Sequence, residues 1–396
     1  MLLQLDGSVW ASGKNDYGQL GDGTTIAIKN YVRVFSSGAM ALAAGEFHNI
    51  ILDQDGTVWA VGRNNYGQLG DSSTATTAAP AGGAGVQRRR RTSDKSKFVE
   101  VIASGGKAVA AGYSHTMVLK QDGSLWVTGR NQHGQLGDGT KLNRHIFKRV
   151  FESGVQAIAA KGHHSMIVKA DGTVWTTGAN DSGQLGDGTK TNRKIFKHVD
   201  DDGKSLGAGP HHNFILKKNE ALWATGSNSK AQLGDGKKTD KAKFEWISND
   251  VKAVSTSYSH SVILKSDGII MGVGSNKKGQ IGDETYEDSK VFKAAKTSDV
   301  QAVVAGNGHT VVLKQDGSIW ATGNNAGQEL GDKWVGPRNS FIMILAAPQT
   351  TTTSKWYTVS DRSPSICTTT NKPVLLACTQ CISMQQTSQF CIMLSL

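Results

Sequence analysis

Six histidines fall in phase along the sequence, at His48, His115, His164, His212, His260 and His309. Imidazole is the side chain best suited to acid–base work or metal ligation near neutral pH. The regular spacing argues against both uses. A catalytic or metal site is one asymmetric constellation, whereas these positions are equivalent in successive units. Each histidine is therefore expected to hydrogen-bond the turn of its own or the adjacent unit. His163-His164 and His211-His212 are doublets in which only one member is in phase. Cys378-Thr-Gln-Cys381 has the spacing of half a zinc or redox site, but no second pair and no histidine follows it, so no metal is expected. Gly134-Gln-Leu-Gly-Asp-Gly-Thr-Lys141 imitates a phosphate-binding loop with its last residues in the wrong order, and its glycines recur as turn residues. Neither a glycine-flanked serine nucleophile nor a zincin motif is present. The chain is read as non-enzymatic and without a cofactor.

What remains is electrostatic chemistry. The net charge is +11, and it is unevenly placed. A segment over residues 72–97 carries Arg88, Arg89, Arg90, Arg91, Lys95 and Lys97 against Asp94 alone, behind a lead-in rich in alanine, threonine and glycine that reads as a flexible loop. Lys141, Arg144, Lys148 and Arg149 follow Gly137-Asp138, and Lys190, Arg193, Lys194 and Lys197 follow Gly186-Asp187, in both cases without an acid among them. Lys237, Lys238, Lys241 and Lys243 come next, offset by Asp240 and Glu245. In the following unit the sign reverses, with Glu284, Glu287 and Asp288 outweighing Lys290 and Lys293. If the units are neighbours in space, these cations form a contiguous basic arc. Such an arc suits an acidic partner, whether protein, nucleic acid or anionic headgroup. The plainer alternative is a solvated rim.

The positions of these side chains follow from an internal repeat. Gly-Asp pairs recur at residues 21, 70, 137, 186, 234, 282 and 331, at spacings of 48 or 49 except for one of 67 that marks the insertion. Tryptophan recurs in phase at Trp10, Trp59, Trp126, Trp175, Trp223 and Trp320, with Ile270 in its place in the sixth unit, and these residues are expected in the core. Glycine (47 residues) and the scarcity of proline (6) fit tight turns between short strands and oppose long helices. The unit from Val155 to Val199 reads as four strands. Val155-Gln-Ala-Ile-Ala-Ala is the innermost, followed by His164-Ser-Met-Ile-Val-Lys. Asp171-Gly172 is expected to form a tight hairpin turn, because both residues tolerate positive φ, then come Thr173-Val-Trp-Thr-Thr-Gly and a short outer strand from Phe196. Four strands in each of seven units predict an all-β fold, a seven-bladed β-propeller of about 49-residue repeats.

Asp-Gly-x-x-Trp-x-x-Gly-x-Asn-x-x-Gly-Gln-Leu-Gly-Asp, together with Gly-x-x-His-(Ser/Thr), resembles the regulator of chromosome condensation repeat over about residues 1–343. The resemblance implies a seven-bladed propeller acting through protein contacts. The roles it implies are chromatin association, nucleotide exchange on a small Ras-like GTPase, substrate recruitment in ubiquitin ligases, or inhibition of a β-lactamase. A plant ultraviolet receptor of this family uses a Gly-Trp-Arg-His-Thr motif. Here Gly112-Tyr-Ser-His-Thr and Gly306-Asn-Gly-His-Thr lack the tryptophan, so photoreception is not expected.

Residues 1–345 are assigned to the propeller and 346–396 to a disordered tail, which is rich in threonine, serine and cysteine and has no period. Because Met1 aligns with Ile50, the first unit lacks its opening strand, and no matching strand follows Phe341, so the ring is one strand short by this count. All four cysteines lie in the tail, which fits a reducing, cytoplasmic or nuclear setting, and no apolar run is long enough for a membrane span. The expected function is a scaffold for a protein partner, chromatin or another acidic surface included. Guanine-nucleotide exchange on a small GTPase is the alternative.

Overall fold

The computed structural model describes residues 1–4, 6–73, 93–326, 330, 336–346 and 390–392. Among them all the regular structure is strand, with no helix. Seven antiparallel sheets of four strands each follow one another around the fold, and from the second sheet to the seventh the first strands of neighbours abut. This is the seven-bladed propeller that the repeat predicts.

The blade at 155–200 shows how the sequence builds a unit. Its strands are Val155–Lys161, His164–Lys169, Val174–Gly178 and Arg193–Asp200, ordered from the axis outwards. Neighbouring blades cover both faces of each sheet, so the second strand is buried at five consecutive positions, His164 to Val168, instead of alternating. Equivalent residues Ile50, Ile51, Leu52, Met117, Leu119, Met166 and Ile167 are fully buried and carry the core from blade to blade. The inner turns and the long loops holding the Gly-Asp pairs share one end of the propeller, here the loop face. The Asp-Gly hairpins lie at the opposite end, the hairpin face.

Two local expectations change and one is refined. At Asp171-Gly172 only Gly172 has positive φ (92°). The Asp171 carboxylate instead accepts from the Thr173 N–H at 2.9 Å and from its hydroxyl at 2.7 Å, so the side chain forms the turn that a second left-handed residue would have made. The tryptophans are half-buried, not core. The Trp175 indole N–H donates to Thr173 Oγ1 at 2.9 Å, and the Lys169 ammonium lies 4.3 Å above the ring. In the sixth blade strand register puts Met271, not Ile270, at the tryptophan position: Ile263 faces Met271 as Ile167 faces Trp175, while Ile270 takes the inward place of Val174.

The glycine of the Gly-Asp pair does more than turn the chain. Gly137 has φ of +67°, and a Cβ there would fall within the ring of Phe196 on the next blade's outer strand. Phe98, Phe147, Phe244, Phe292 and Phe341 stand in the same way over Gly21, Gly70, Gly186, Gly234 and Gly282. The second to seventh blades thus each lock an aromatic ring over the preceding blade's loop.

The strand counted as missing from the first blade is supplied by Phe390–Ile392, which pairs antiparallel with Leu2–Gln4 (Leu2 opposite Ile392, Gln4 opposite Phe390) and gives that sheet four strands. The remainder of the expected tail, with Cys378 and Cys381, lies outside the described residues, apart from Ala346. The outer strand of the second blade begins at Lys95, so Lys95 and Lys97 belong to that strand and not to the insertion.

Candidate functional site

The cations predicted to form the basic arc divide into committed and free groups. In the third blade the buried Asn131 organises the loop: its Nδ2 donates to Asp138 Oδ1 (3.0 Å) and to the Thr140 carbonyl (3.2 Å), while its Oδ1 accepts from the Leu136 N–H (2.9 Å). Asp138 also accepts from Thr140 and, at 2.7 Å, from Arg144 Nε. Burial opposes ionisation of Asp138, but these hydrogen bonds outweigh it and hold the carboxyl below its ordinary range. Arg193 clasps Asp187 in the same way at 2.6 Å, Lys95 reaches Asp71 at 3.2 Å and Lys241 reaches Asp235 at 3.5 Å. Arg144 and Arg193 are therefore half-buried loop clasps.

The other predicted cations are exposed but occupy different heights. Lys141, Lys190, Lys237 and Lys238 are on the loop face. Lys194, Lys197 and Lys148 lie along the outer strands, and Arg149 sits towards the hairpin face, beside Glu152 at 3.0 Å and 5.9 Å from the Trp126 ring. Lys190 reaches across to Asp240 of the next blade at 3.7 Å. The structure thus spreads these residues over the height of a rim. Arg88, Arg89, Arg90 and Arg91 lie outside the described residues.

The histidines form a latch between blades. His115 Nε2 lies 2.9 Å from Ser165 Oγ of the next blade, and that hydroxyl donates its single proton to the Gln135 carbonyl at 2.7 Å. Nε2 must therefore carry the proton, which leaves Nδ1 as an acceptor. The same relay runs from His48 through Thr116 to Gln68, from His212 through Ser261 to Gln232, and from His260 through Thr310 to Gln280. For His164 of the fourth blade, Asn213 of the fifth takes the hydroxyl's part, accepting from His164 at 2.8 Å and donating to the Gln184 carbonyl at 2.7 Å. Burial pushes His48, His212 and His260 down to about 3 and His164 to about 4, so all four are neutral. They hold blades together. Among the described residues no group of three or more His, Cys, Asp or Glu side chains could hold a metal ion, and no helix is long and apolar enough to cross a membrane.

One surface was missed by the sequence argument. On the loop face, close to the axis, Tyr17 packs on Phe47 at 4.9 Å with Arg63 over both rings (4.8 and 5.5 Å), and Arg130 lies 5.1 Å over Tyr66. Tyr113 meets His163 edge-on at 5.2 Å, His163 stacks on His133 at 4.9 Å, and His211 meets Tyr258 at 5.6 Å. Phe47, His163 and His211 each precede a latch histidine. The signal was there: the histidine is constant while the residue before it changes freely, so the fold does not dictate it.

Two family models match the chain: the RCC1-like domain over residues 1–248, and the regulator of chromosome condensation (RCC1) repeat over 251–280 and 300–328. Among solved structures, Prp20p from Saccharomyces cerevisiae, described with its binding properties to Gsp1p and histones, is similar at 18% identity and a TM-score of 0.71, over 87% of this chain and 88% of that one. Yeast RCC1 (Prp20) bound to Kap60 is similar at 17% identity and 0.70, covering 87% and 85%. Human WBSCR16 is similar at 16% and 0.71, covering 86% and 94%. At such identities these structures speak for the fold. With one family model spanning more than half its length and the repeat model matching beyond it, the chain belongs to the RCC1-like domain family.

Proposed function

We propose that the chain is a non-catalytic interaction scaffold whose propeller, residues 1–345, offers its loop face and basic rim to a protein partner with an acidic surface. The observation that supports this most is the contrast between equivalent and non-equivalent positions. The latch histidines are buried, neutral and repeated, whereas the half-exposed Arg63, Tyr66, Arg130, His163, His211 and Tyr258 beside them differ from blade to blade. Tyrosine and arginine are the residue types that dominate binding energy at protein interfaces. The likeness to Prp20p, whose described partners are Gsp1p and histones, makes chromatin a candidate partner class and fits a cytoplasmic or nuclear setting. Affinity capture on the full chain at low and high salt tests the proposal. Retention of defined proteins at low salt and their loss at high salt supports an acidic partner. Undiminished capture after deletion of 88–91 would remove that segment from the surface, and capture of nothing at either salt overturns the scaffold reading.

The second reading, guanine-nucleotide exchange on a small Ras-like GTPase, is favoured by membership of the family. It requires accelerated nucleotide release at catalytic amounts of the chain. Binding to a GTPase without acceleration leaves only the scaffold.

A further inference from the structure

In the second to seventh blades the residue after the glycine that ends the third strand is held by one repeated backbone bond. Its N–H donates to the carbonyl of the residue before the latch histidine, as from Arg63 to Phe47 at 2.8 Å, from Arg130 to Ser114 at 2.8 Å and from Ala179 to His163 at 2.9 Å. That bond leaves the side chain free to vary, through Arg63, Arg130, Ala179, Ser227, Ser275 and Asn324. Alanine and serine serve there, so the fold does not ask for a cation. The two arginines are seated by the loop of the preceding blade. A Cβ on Gly62 would lie 3.1 Å from Gln19 of the first blade, and one on Gly129 would lie 3.1 Å from Gln68 of the second. Each glutamine Oε1 accepts from the N–H of the tyrosine two residues earlier, Tyr17 or Tyr66, at 3.0 Å, which sets that ring beside the next blade's arginine. The Arg63 guanidinium accordingly lies 4.8 Å from the Tyr17 ring centre and 5.5 Å from that of Phe47, and Arg130 lies 5.1 Å from Tyr66. The arrangement is made on two adjacent blades and then stops, because the fourth blade offers Ala179 to His133.

Stacking uses the face of a guanidinium and leaves its N–H edge for a planar acceptor. Among the described residues neither Arg63 nor Arg130 pairs with a carboxylate. The Arg130 edge instead holds a neutral stand-in. Its Nε and Nη2 donate at 3.0 and 2.6 Å to the one amide oxygen of the exposed Gln132, where a carboxylate would accept with two oxygens. The equivalent residue beside Arg63 is Asn65, whose side-chain oxygen accepts from Gln68 Nε2 at 3.4 Å. Both arginines are half-buried. The rings hold them in place, so an arriving acid meets guanidiniums that have already given up much of their rotamer freedom.

We propose that Arg63 and Arg130, each seated on an aromatic ring of the loop face, form a paired receptor for two carboxylate side chains of one acidic protein segment, which displaces Gln132 from Arg130. The inference rests on the scaffold reading and assigns the partner's acids to two residues near the axis instead of the rim. A protein segment fits better than a nucleic-acid backbone. A phosphate backbone needs a run of free cations. Here Lys14, 5.6 Å from the Phe47 ring, is held by Asp16 at 3.4 Å, and the exposed Glu46 precedes Phe47. Discrete carboxylates on a loop can meet the two arginines and avoid these acids, while apolar residues between them cover Tyr17, Phe47 and Tyr66.

The test is a low-salt titration of the full chain with acetylated, amidated hexaglutamate. Wild type is compared with Arg63→Ala, Arg130→Ala, the conservative Arg63→Lys and the control Lys218→Gln, an exposed lysine on the opposite, hairpin face. Alanine is what the fourth blade carries at this place, so both alanine variants keep the fold, and their melting temperatures check it. Saturable binding is expected, weakened about tenfold by either alanine variant. Arg63→Lys keeps the charge but loses the planar edge and should weaken binding about fivefold, and Lys218→Gln by less than about twofold. Equal binding by wild type and either alanine variant, no saturation at millimolar peptide, or a Lys218→Gln loss as large as that of Arg63→Ala overturns the proposal. Arg63→Lys binding as tightly as wild type also overturns it, since charge alone then suffices. Displacement of the peptide by mixed-sequence duplex DNA that itself binds both alanine variants more weakly gives the pair to phosphate and overturns it as well. The scaffold reading fails separately. A protein partner captured equally by wild type and the double alanine variant removes the receptor and leaves the scaffold, whereas capture of nothing removes the scaffold while the titration still decides the arginine pair.

Discussion

The axial wall and the outer rim are built from the same repeat yet handle polar groups in opposite ways. Near the axis each latch imidazole has one donor facing one acceptor, is neutral, and is shielded by two blades. On the rim, Lys148 and Lys197 are exposed, Lys148 no closer than 3.9 Å to Asp138, whereas the clasp residues Arg144 and Arg193 are held at hydrogen-bond distance by a buried carboxylate. The lesson is that stability is concentrated where the repeat is constant, and the surface open to partners is concentrated where it varies.

Acid should separate the two regions most. His48, His212 and His260 at about 3 and His164 at about 4 lie below their ordinary value of 6.5. Above pH 6.5 both folded and unfolded chains are neutral at these sites and the stability is complete. As pH falls below 6.5 the unfolded chain takes up protons that the folded chain refuses, so stability drops until the folded values are reached. Each latch contributes a slope of up to about 1.4 kcal/mol per pH unit. Urea midpoints measured from pH 7.5 down to 5 should fall steeply, and a flat profile would break the comparison. Next in size, His115→Ala should cost about 3 kcal/mol, through lost packing and the loss of the hydrogen bond that Ser165 Oγ accepts, read as a lower urea midpoint. Arg144→Ala should cost about 1 to 2 kcal/mol, because it removes the closer of the two cations at the enclosed Asp138 and leaves only Lys148 at 3.9 Å. Lys148→Ala and Lys197→Ala should stay within about 0.5 kcal/mol by the same measurement. A rim substitution as costly as the histidine one would erase the distinction.

The propeller was legible because its determinants repeat. Gly-Asp, Asp-Gly, the tryptophans and the histidines set blade number, strand order and the insertion point without reference to tertiary structure. What was not legible depends on contacts between units. Nothing in the sequence around Asp138 says that Arg144, six residues on, folds back onto it, so two clasp residues were counted as free charge. The outer-strand phenylalanines recur in phase with the glycines they cover, yet their partners lie about sixty residues or more away, as with Gly137 and Phe196.

The join between Leu2–Gln4 and Phe390–Ile392 has a kinetic consequence. Within six blades every strand pairs with its neighbour in sequence, so those sheets can zip up by local search. The first blade needs segments nearly a whole chain length apart to meet, and its inner seam is three residue pairs long. Circularisation is therefore the step with the largest search entropy, and under load this seam is where the toroid should part first.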